Sequence, residues 1–264
     1  MNASLTRIKA LLIQDLYQTR HSSEVIIDVI VFPLTNVILF GYISLYLLRN
    51  STTIPTHSLL LAAILWESLR VLQYTVTFGT LWNLWSRNLT NVMISPISVS
   101  EFFTAFTLAG VLKVSVLFLI MLVLAATLFG MPVSAPFAVN LLFYFMNLML
   151  SGLAFGIFVT GMIFKWGTKI NSLAWGLIYF FQPISGVYFP VSVLPEPLRS
   201  IAYVVPMTYV FESARSHLHS PRIDWQNLGM AFLINMLYLS IASFAFKRYY
   251  TASRMTGQFA RNEG

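Results

Sequence analysis

Four ionisable side chains stand inside long apolar stretches of this sequence: Asp28, Glu67, Arg70 and Lys113. A charge within a membrane is costly, so such residues usually pair with one another or belong to a transport path. Glu67 and Arg70 are three residues apart and share one face of a helix. We predict that they form a buried network with Lys113 that fixes helix packing, because one acid and two bases can nearly satisfy each other. The alternative is that the three line the path of a polar substrate.

Motifs for catalysis or metal binding are sparse. His217 and His219 form an H-x-H pair, but neither a cysteine cluster nor an obvious third ligand accompanies them. The sequence has no G-x-S-x-G nucleophile motif and no G-x-x-x-x-G-K-S/T phosphate loop. We therefore predict that the chain is not an enzyme and has no metal or other cofactor. If ATP drives it, another polypeptide hydrolyses that ATP.

The composition places the chain in a lipid bilayer. Of its 264 residues, 57% are hydrophobic and 9% are charged, whereas soluble domains carry about 25% charged residues. A core of this size cannot hide so much apolar surface, so the bilayer must cover it. The net charge of +7 does not indicate a nucleic-acid partner, because the basic residues cluster beside apolar runs, where they anchor orientation.

The apolar segments predict an all-α, polytopic membrane protein that forms one domain over residues 1–264. A membrane-spanning helix needs about 20 mostly apolar residues. Six segments qualify, namely 25–48, 58–82, 102–129, 137–164, 170–188 and 225–246. The fourth contains a G-x-x-x-G motif, Gly152 to Gly156, which permits close helix approach either within the bundle or between subunits.

The distribution of lysine and arginine predicts that both termini are cytoplasmic, because cytoplasmic loops carry an excess of these residues. With six spans in that orientation, ten basic residues fall on the cytoplasmic side and four on the external side. The ten are Arg7, Lys9, Arg20, Arg87, Lys165, Lys169, Lys247, Arg248, Arg254 and Arg261, and the four are Arg49, Arg199, Arg215 and Arg222.

Residues 4–20, before the first apolar segment, have the pattern of an amphipathic helix. The apolar residues Leu5, Ile8, Leu12 and Leu16 recur at helical spacing, with Arg7, Gln14 and Gln18 elsewhere on the wheel. We predict a helix on the cytoplasmic membrane surface. The alternative is a soluble helix that packs on a partner.

The loop 83–100 follows the second span on the predicted cytoplasmic side. Its apolar residues Trp85, Leu89, Val92 and Met93 predict a short helix with an apolar face rather than a solvated loop. Pro96 ends that helix. Ser98 and Glu101 then match a capping box that begins the third span.

The segment 183–221 on the predicted external side combines seven prolines and glycines with apolar stretches too short to cross a bilayer: Pro183, Gly186, Pro190, Pro195, Pro197, Pro206 and Pro221. Broken backbone near a membrane is tolerated only where protein or water satisfies its polar groups. We predict two short re-entrant or interfacial helices here. A loose loop is the alternative, and the apolar content argues against it.

Three stretches carry a family resemblance. The first has W-S-R-N-L at 85–89, S-P at 95–96 and Glu101. The second has Q-P-I-S-G-V-Y-F-P at 182–190 and L-P at 194–195, and the third has P-M-T-Y-V-F-E-S-A-R at 206–215. Together they resemble the permeases of type-2 ABC transporters, which export polysaccharides, lipids and drugs. The order and spacing agree over nearly the whole chain.

This resemblance implies a permease that forms the translocation path as a dimer and is driven by two copies of a separate cytoplasmic ABC ATPase. It implies the inner (plasma) membrane of a bacterium or archaeon. By resemblance, the residues that couple to the ATPase are Trp85, Arg87, Asn88, Leu89, Asn91, Ser95, Pro96 and Glu101. The external signature comprises Gly186, Pro190, Pro195, Pro206, Glu212 and Arg215. The loop departs from the family pattern, since it is rich in asparagine rather than acidic.

A transporter or channel that works without ATP is the main alternative. Secondary transporters often contain inverted repeats with paired broken helices. This sequence has only one broken region and no matching half, which favours the ABC permease. A membrane-embedded enzyme is disfavoured by the missing catalytic set.

Overall fold

The computed structural model describes residues 3–50, 57–132, 134–218 and 222–257, and within these ranges it contains helices but no strand. The helices α4, α6, α7 and α11 have 28 to 32 residues, and α1 and α3 have 19 residues each. The helices in order are α1 (Ala3–His21), α2 (Ser23–Ile26), α3 (Phe32–Asn50), α4 (Ser58–Trp85), α5 (Leu89–Ile94), α6 (Val99–Phe129), α7 (Ala135–Trp166), α8 (Asn171–Ile184), α9 (Glu196–Ala202), α10 (Pro206–His217) and α11 (Trp225–Thr256). A π-helical turn, Ile27–Val31, joins α2 to α3, and 3-10 turns occur at Gly167–Ile170 and Val191–Val193.

Five stretches of helix in the described ranges are long and apolar enough to cross a membrane, which confirms a polytopic all-α protein. They are Ser23–Arg49, Ser58–Trp85, Val99–Phe129, Phe137–Ile184 and Trp225–Thr256. The stretch Phe137–Ile184 comprises α7 and α8, and it reverses direction at Gly167, whose φ of 63° suits glycine. Phe155 and Phe181 lie on opposite sides of this reversal, and their ring centroids are 4.7 Å apart. These two helices therefore form an antiparallel hairpin.

The count of six spans depends on α8 and remains a prediction. This helix has 14 residues, fewer than the roughly 20 that cross a bilayer core. The sequence-based segment 170–188 is longer because it includes residues 185–188, which follow the end of the helix.

Helix α4 lies at the centre of the bundle, and 94% of its 18-residue apolar stretch is buried. Close approach between α4 and α7 depends on the G-x-x-x-G motif: a Cβ at Gly152 would lie 2.9 Å from the Leu69 carbonyl oxygen, and one at Gly156 2.8 Å from Cβ of Val76. In this chain the motif therefore serves packing inside the bundle.

On its other side, α7 packs against α11 through buried polar groups. The Ser151 hydroxyl donates to Oδ1 of Asn235 at 2.7 Å, and Nδ2 of Asn235 donates to the Asn147 carbonyl at 3.0 Å. Hydrogen bonds of this kind hold helices together where lipid offers no alternative partner.

The start of the first described helix and the end of the last described helix lie at the same end of the bundle, which we term the loop end because it carries the loop 83–100. Arg7 near the start of α1 contacts Glu101 at the start of α6. Near the end of α11, the Ser253 hydroxyl donates to the Phe164 carbonyl at 2.7 Å. The opposite end, the cap end, carries α9 and the end of α10.

Candidate functional site

The loop 83–100 begins with a tight helix ending. The N–H of Arg87 donates to the Leu84 carbonyl at 3.1 Å, and the N–H of Asn88 donates to the Asn83 carbonyl at 2.8 Å. This pair of bonds forms a Schellman motif, which requires a left-handed residue and normally uses glycine. Here Arg87 takes that conformation, with φ of 55°, and is the only described residue other than glycine with a positive φ.

The short helix α5 has one buried face and one exposed face. Leu89 and Val92 are buried, at 1% and 8% exposure, and Val92 packs with Leu11 of α1 and Phe102 of α6. Ile94 is 77% exposed. Two of the four residues predicted to form an apolar face, Leu89 and Val92, therefore pack inward, whereas Trp85 is exposed. The side chain of Met93 lies outside the described residues. We term the outward residues the exposed strip: Arg87, Asn91, Ile94 and Pro96.

The predicted capping box is present at the start of α6, where Ser98 and Glu101 bond each other's backbone N–H groups. Glu101 also accepts from Arg7 of α1, at 2.6 Å from Nη2 and 3.0 Å from Nε. This contact raises the pKa of Arg7. Glu101 is buried. Like Leu89, it therefore lies inside the fold rather than on a surface that a partner can reach, contrary to the simplest interpretation of the sequence.

The other loop residues assigned to ATPase coupling by the family resemblance form contacts within the protein. Nδ2 of Asn88 donates to Oδ1 of Asn83 at 3.0 Å, and the Ser95 hydroxyl donates to the Val92 carbonyl at 2.6 Å. The Trp85 ring stacks on Trp175 of α8, with centroids 6.1 Å apart. These contacts connect the loop to α8 as well as to α4.

Asn83 joins the loop to the N-terminal helix. Its Oδ1 accepts from Nε2 of Gln14 at 3.1 Å as well as from Asn88, and its Nδ2 donates to the Gly79 carbonyl at 2.6 Å. Because Asn83 is completely buried, this hydrogen-bond network fixes α1 against the end of α4.

The N-terminal helix therefore turns its polar side chains toward the protein. Arg7, Gln14 and Asp15 all bond residues of α4 or α6, whereas Leu5, Ile13 and Tyr17 are exposed. The helix predicted over 4–20 exists, but of its apolar residues Leu11, which the sequence pattern did not single out, is the buried one. One sequence feature did indicate the inner face: Arg7 and Asp15 lie four residues before and after Leu11, so the three residues share one side of the helix.

Glu67 and Arg70 form a buried ion pair on α4, with Nε to Oε2 at 2.7 Å. Glu67 also accepts from Nδ2 of Asn36 on α3 at 2.5 Å, and Nη2 of Arg70 donates to the Asp28 carbonyl at 2.7 Å. Asp28 belongs to the π-helical turn, and such turns occur frequently at functional sites within α-helices. The pair therefore connects α4 to the first candidate span.

Lys113 does not join this pair, so the predicted single network is wrong. Its Nζ lies 2.6 Å from Oδ2 of Asp15 in α1, and both side chains are almost fully buried. The reason is geometric: Lys113 points from α6 toward α1, whereas Glu67 and Arg70 point from α4 toward α3. The partner Asp15 belongs to a helix that the sequence pattern placed on the membrane surface.

The segment 183–221 contains two α-helices, α9 and α10. Arg215 of α10 connects its own helix to the turn after α8. Nη1 of Arg215 donates to Oε1 of Glu212 at 2.7 Å, and Nη2 donates to the carbonyls of Gly186 at 2.7 Å and Phe189 at 3.0 Å. The same Glu212 oxygen accepts the Val191 N–H at 2.9 Å. We term this set of contacts the Arg215 lock.

The signature prolines and glycine position this lock. Gly186 has φ of 62°, which permits the turn after α8. Pro190 precedes the 3-10 turn, Pro195 precedes α9, and Pro206 is the first residue of α10. Pro221, at the end of the predicted external segment, lies outside the described residues.

His217 is a buried residue of α10 and contacts α7. Its Nδ1 lies 2.8 Å from Nδ2 of Asn140, and its ring stacks on Phe137. His219, the other member of the H-x-H pair, lies outside the described residues. No group of three or more potential metal ligands occurs among the residues that the structure describes.

These helices define a multi-pass membrane protein whose buried charges connect neighbouring helices and whose loop end carries an exposed strip. The family model for the ABC-2 type transporter matches residues 6–219, so the chain belongs to the ABC-2 type transporter family. It is accordingly a permease, the membrane component of an ABC transporter, which confirms the resemblance inferred from the sequence. A search of curated proteins found no match.

Proposed function

We propose that the chain is an export permease that works as a dimer, with two copies of a separate ATPase docked on its loop end. In this proposal both termini are cytoplasmic and the protein resides in the inner membrane of a bacterium or archaeon. The family membership supports an ATP-binding partner, and the excess of lysine and arginine at the loop end supports the orientation. The dimer and the direction of transport rest on the family resemblance.

The observation that carries the proposal is the position of the exposed strip. Arg87 precedes the short helix α5, and Asn91 and Ile94 belong to it; all three are exposed, whereas the inner face of the helix is buried. That helix is joined to α4 by the Schellman motif and leads through the Ser98 cap into α6. A push on the strip is therefore transmitted to two long helices together.

The left-handed Arg87 adds a second argument. A residue other than glycine in this conformation costs of the order of 1–3 kcal/mol, and such strain is typical of functional positions. Glycine would form the same Schellman motif without strain. We infer that the exposed guanidinium pairs with an acidic group of the ATPase, because Arg offers a planar set of donors that fits a carboxylate.

Site-specific photocrosslinking in native membranes tests the docking site. Benzoylphenylalanine at Ile94 or Asn91 should crosslink to a protein that carries a P-loop, identified by mass spectrometry. The matched control is Val193 at the cap end, which is also highly exposed and should yield no such adduct. Equal P-loop adducts from Val193, or none from Ile94 and Asn91, contradict the proposal.

A second experiment measures coupling. Arg87→Glu combined with Ile94→Asp changes only exposed side chains, so the permease should insert and keep its melting temperature. ATP hydrolysis by the purified complex, and its transport, should fall. Leu89→Asp is unsuitable, because it would bury a carboxylate in the core. Val193→Asp is the control and should change neither activity.

A further inference from the structure

An apolar cavity of about 370 Å³ lies between α7, α8 and α11. The side chains of its lining residues are hydrocarbon, apart from the hydroxyl of Tyr238. The main lining residues are Phe155 and Phe158 of α7, Leu177 and Phe181 of α8, and Tyr238 and Ile241 of α11. Its volume falls within the range of ligand pockets in proteins, about 300–1,000 Å³.

The arrangement of the segment 183–221 closes one end of the cavity. The Tyr144 hydroxyl of α7 donates to the Ser213 carbonyl at 3.2 Å, and Asn140, one turn earlier in α7, contacts His217. These contacts show that α10 runs antiparallel to α7, so the residues before α10 lie deeper in the bundle than His217. Val204 in that turn lines the cavity.

The cavity opens sideways through an apolar mouth. Val204, Leu237 and Ile241 line it and are 61%, 57% and 52% exposed. Leu237 and Ile241 lie near the middle of α11, which runs from Trp225 to Thr256. The middle of a spanning helix lies at the level of the hydrocarbon core, so the mouth faces acyl chains rather than water.

We propose that this cavity binds one acyl chain of a bilayer lipid, which enters between α8 and α11 and packs beneath the turn that carries Val204. Apolar cavities exclude water and accept apolar molecules. A helix from a second copy of the chain is too thick to enter, because a helix with its side chains is about 10–12 Å across. The bound acyl chain would contact and support the turn that carries Val204. This inference does not depend on ATP or on the direction of transport.

A photoreactive phospholipid tests the proposal. The purified permease is reconstituted into phosphatidylethanolamine–phosphatidylglycerol vesicles containing a trace of phospholipid with a diazirine in its acyl chain, and adducts are mapped by mass spectrometry. We expect adducts on Phe155 or Phe158. Phe155 is 6% exposed, so a lipid that only surrounds the protein cannot reach it.

Val204→Trp extends a side chain across the mouth and should lower labelling of Phe155 and Phe158 severalfold. The matched control is Val123→Trp on α6, because Val123 is also 61% exposed and does not line the cavity; it should leave their labelling unchanged. Labelling of Leu237 without labelling of the inner wall would show annular lipid only. Failure to label either, while Val123 is labelled, would show that protein covers the mouth. Either result, or inner-wall labelling that Val204→Trp does not change, overturns the proposal.

Discussion

Asp15 and Lys113 form a buried ion pair that joins the helix preceding the first candidate span to the middle of α6, with Nζ and Oδ2 2.6 Å apart. Arg7 and Glu101 form a second pair between the same two helices. The later residue of α1, Asp15, pairs with the later residue of α6, Lys113, so the two helices run in the same direction. The two pairs fix α1 in a single register on α6.

Removing one partner of the buried pair should destabilise the protein strongly. Lys113→Met leaves the Asp15 carboxylate buried without a counter-charge, and we expect a loss of about 3–5 kcal/mol. The double variant Asp15→Leu with Lys113→Met should lose less than the single variant. Denaturant unfolding in detergent micelles measures both. The control is Glu196→Gln in an exposed pair, with an expected loss below about 1 kcal/mol. Equal losses in the single and double variants would contradict this.

The Lys113→Met variant should also gain a pH dependence. Burial raises the pKa of Asp15, and Lys113 opposes that rise. Without Lys113, the pKa of Asp15 in the folded state should exceed its unfolded value by more. The folded state then binds the proton more tightly, so the free energy of unfolding should increase as the pH falls from about 8 to about 5. The measurement is the unfolding midpoint across this range, and a variant that becomes less stable toward pH 5 would refute the assignment.

Arg87→Gly separates strain from function. Because glycine adopts the left-handed conformation without a Cβ clash, this change should keep or raise stability, by up to about 1 kcal/mol. If the guanidinium contacts the ATPase, the same change should lower ATP hydrolysis by the complex. Arg87→Lys, which keeps the charge but not the planar fork, should have an intermediate effect. Full activity of the Arg87→Gly complex would show that this side chain is dispensable.

Local features of the fold could be predicted from the sequence because they depend on short-range chemistry. The Ser98 and Glu101 cap and the two helices of the segment 183–221 follow from neighbouring residues, and both are present. The inner face of α1 could not be predicted in this way. In a membrane protein, apolar side chains can face lipid as well as protein. The spacing of apolar residues therefore does not identify the helix face that packs against protein.

The partner of Lys113 escaped prediction for a related reason. Ion pairing depends on which helices are neighbours, and the sequence showed only that Lys113 needed an acid nearby. Asp15 was not considered as a partner of Lys113, because it belongs to a helix that we expected at the membrane surface. The predicted loop surface was similarly incomplete, since the burial of Leu89 depends on the packing of α5 against the rest of the bundle.

The Glu67 and Arg70 pair should behave as packing rather than as a substrate site. Arg70→Met leaves Glu67 buried with Asn36 as its remaining partner, so it should cost several kcal/mol, and adding Glu67→Gln should recover part of that loss. Thermal unfolding measures both variants. If Glu67→Gln leaves folding intact but abolishes transport selectively, the pair belongs to the substrate path.

The Arg215 lock should control the order of the segment after α8. Arg215→Lys keeps the charge but cannot reach Glu212 and two carbonyls at once. Gly186→Ala introduces strain at φ of 62° and places a Cβ 2.9 Å from the Phe189 carbonyl oxygen. Both changes should raise amide hydrogen exchange in residues 186–195. Gly176→Ala is the control, since its Cβ would contact nothing, and it should leave exchange unchanged. If amide exchange is unchanged in both variants, the Arg215 lock does not order residues 186–195.

The number of spans depends on whether α8 crosses the membrane. The chain has no cysteine, so single introduced cysteines report their side without background. Six spans predict that cysteines at Asn91 and Thr168 are modified only from the cytoplasm, and those at Ser134 and Ser192 only from outside; all four positions are exposed. Comparison of right-side-out with inverted vesicles, using a membrane-impermeant maleimide, makes the measurement. Ser192 decides the matter, because α8 lies between it and Thr168. If cysteines at Thr168 and Ser192 react from the same side, α8 does not cross, and the membrane domain has an odd number of spans with its termini on opposite sides, or α11 enters without crossing.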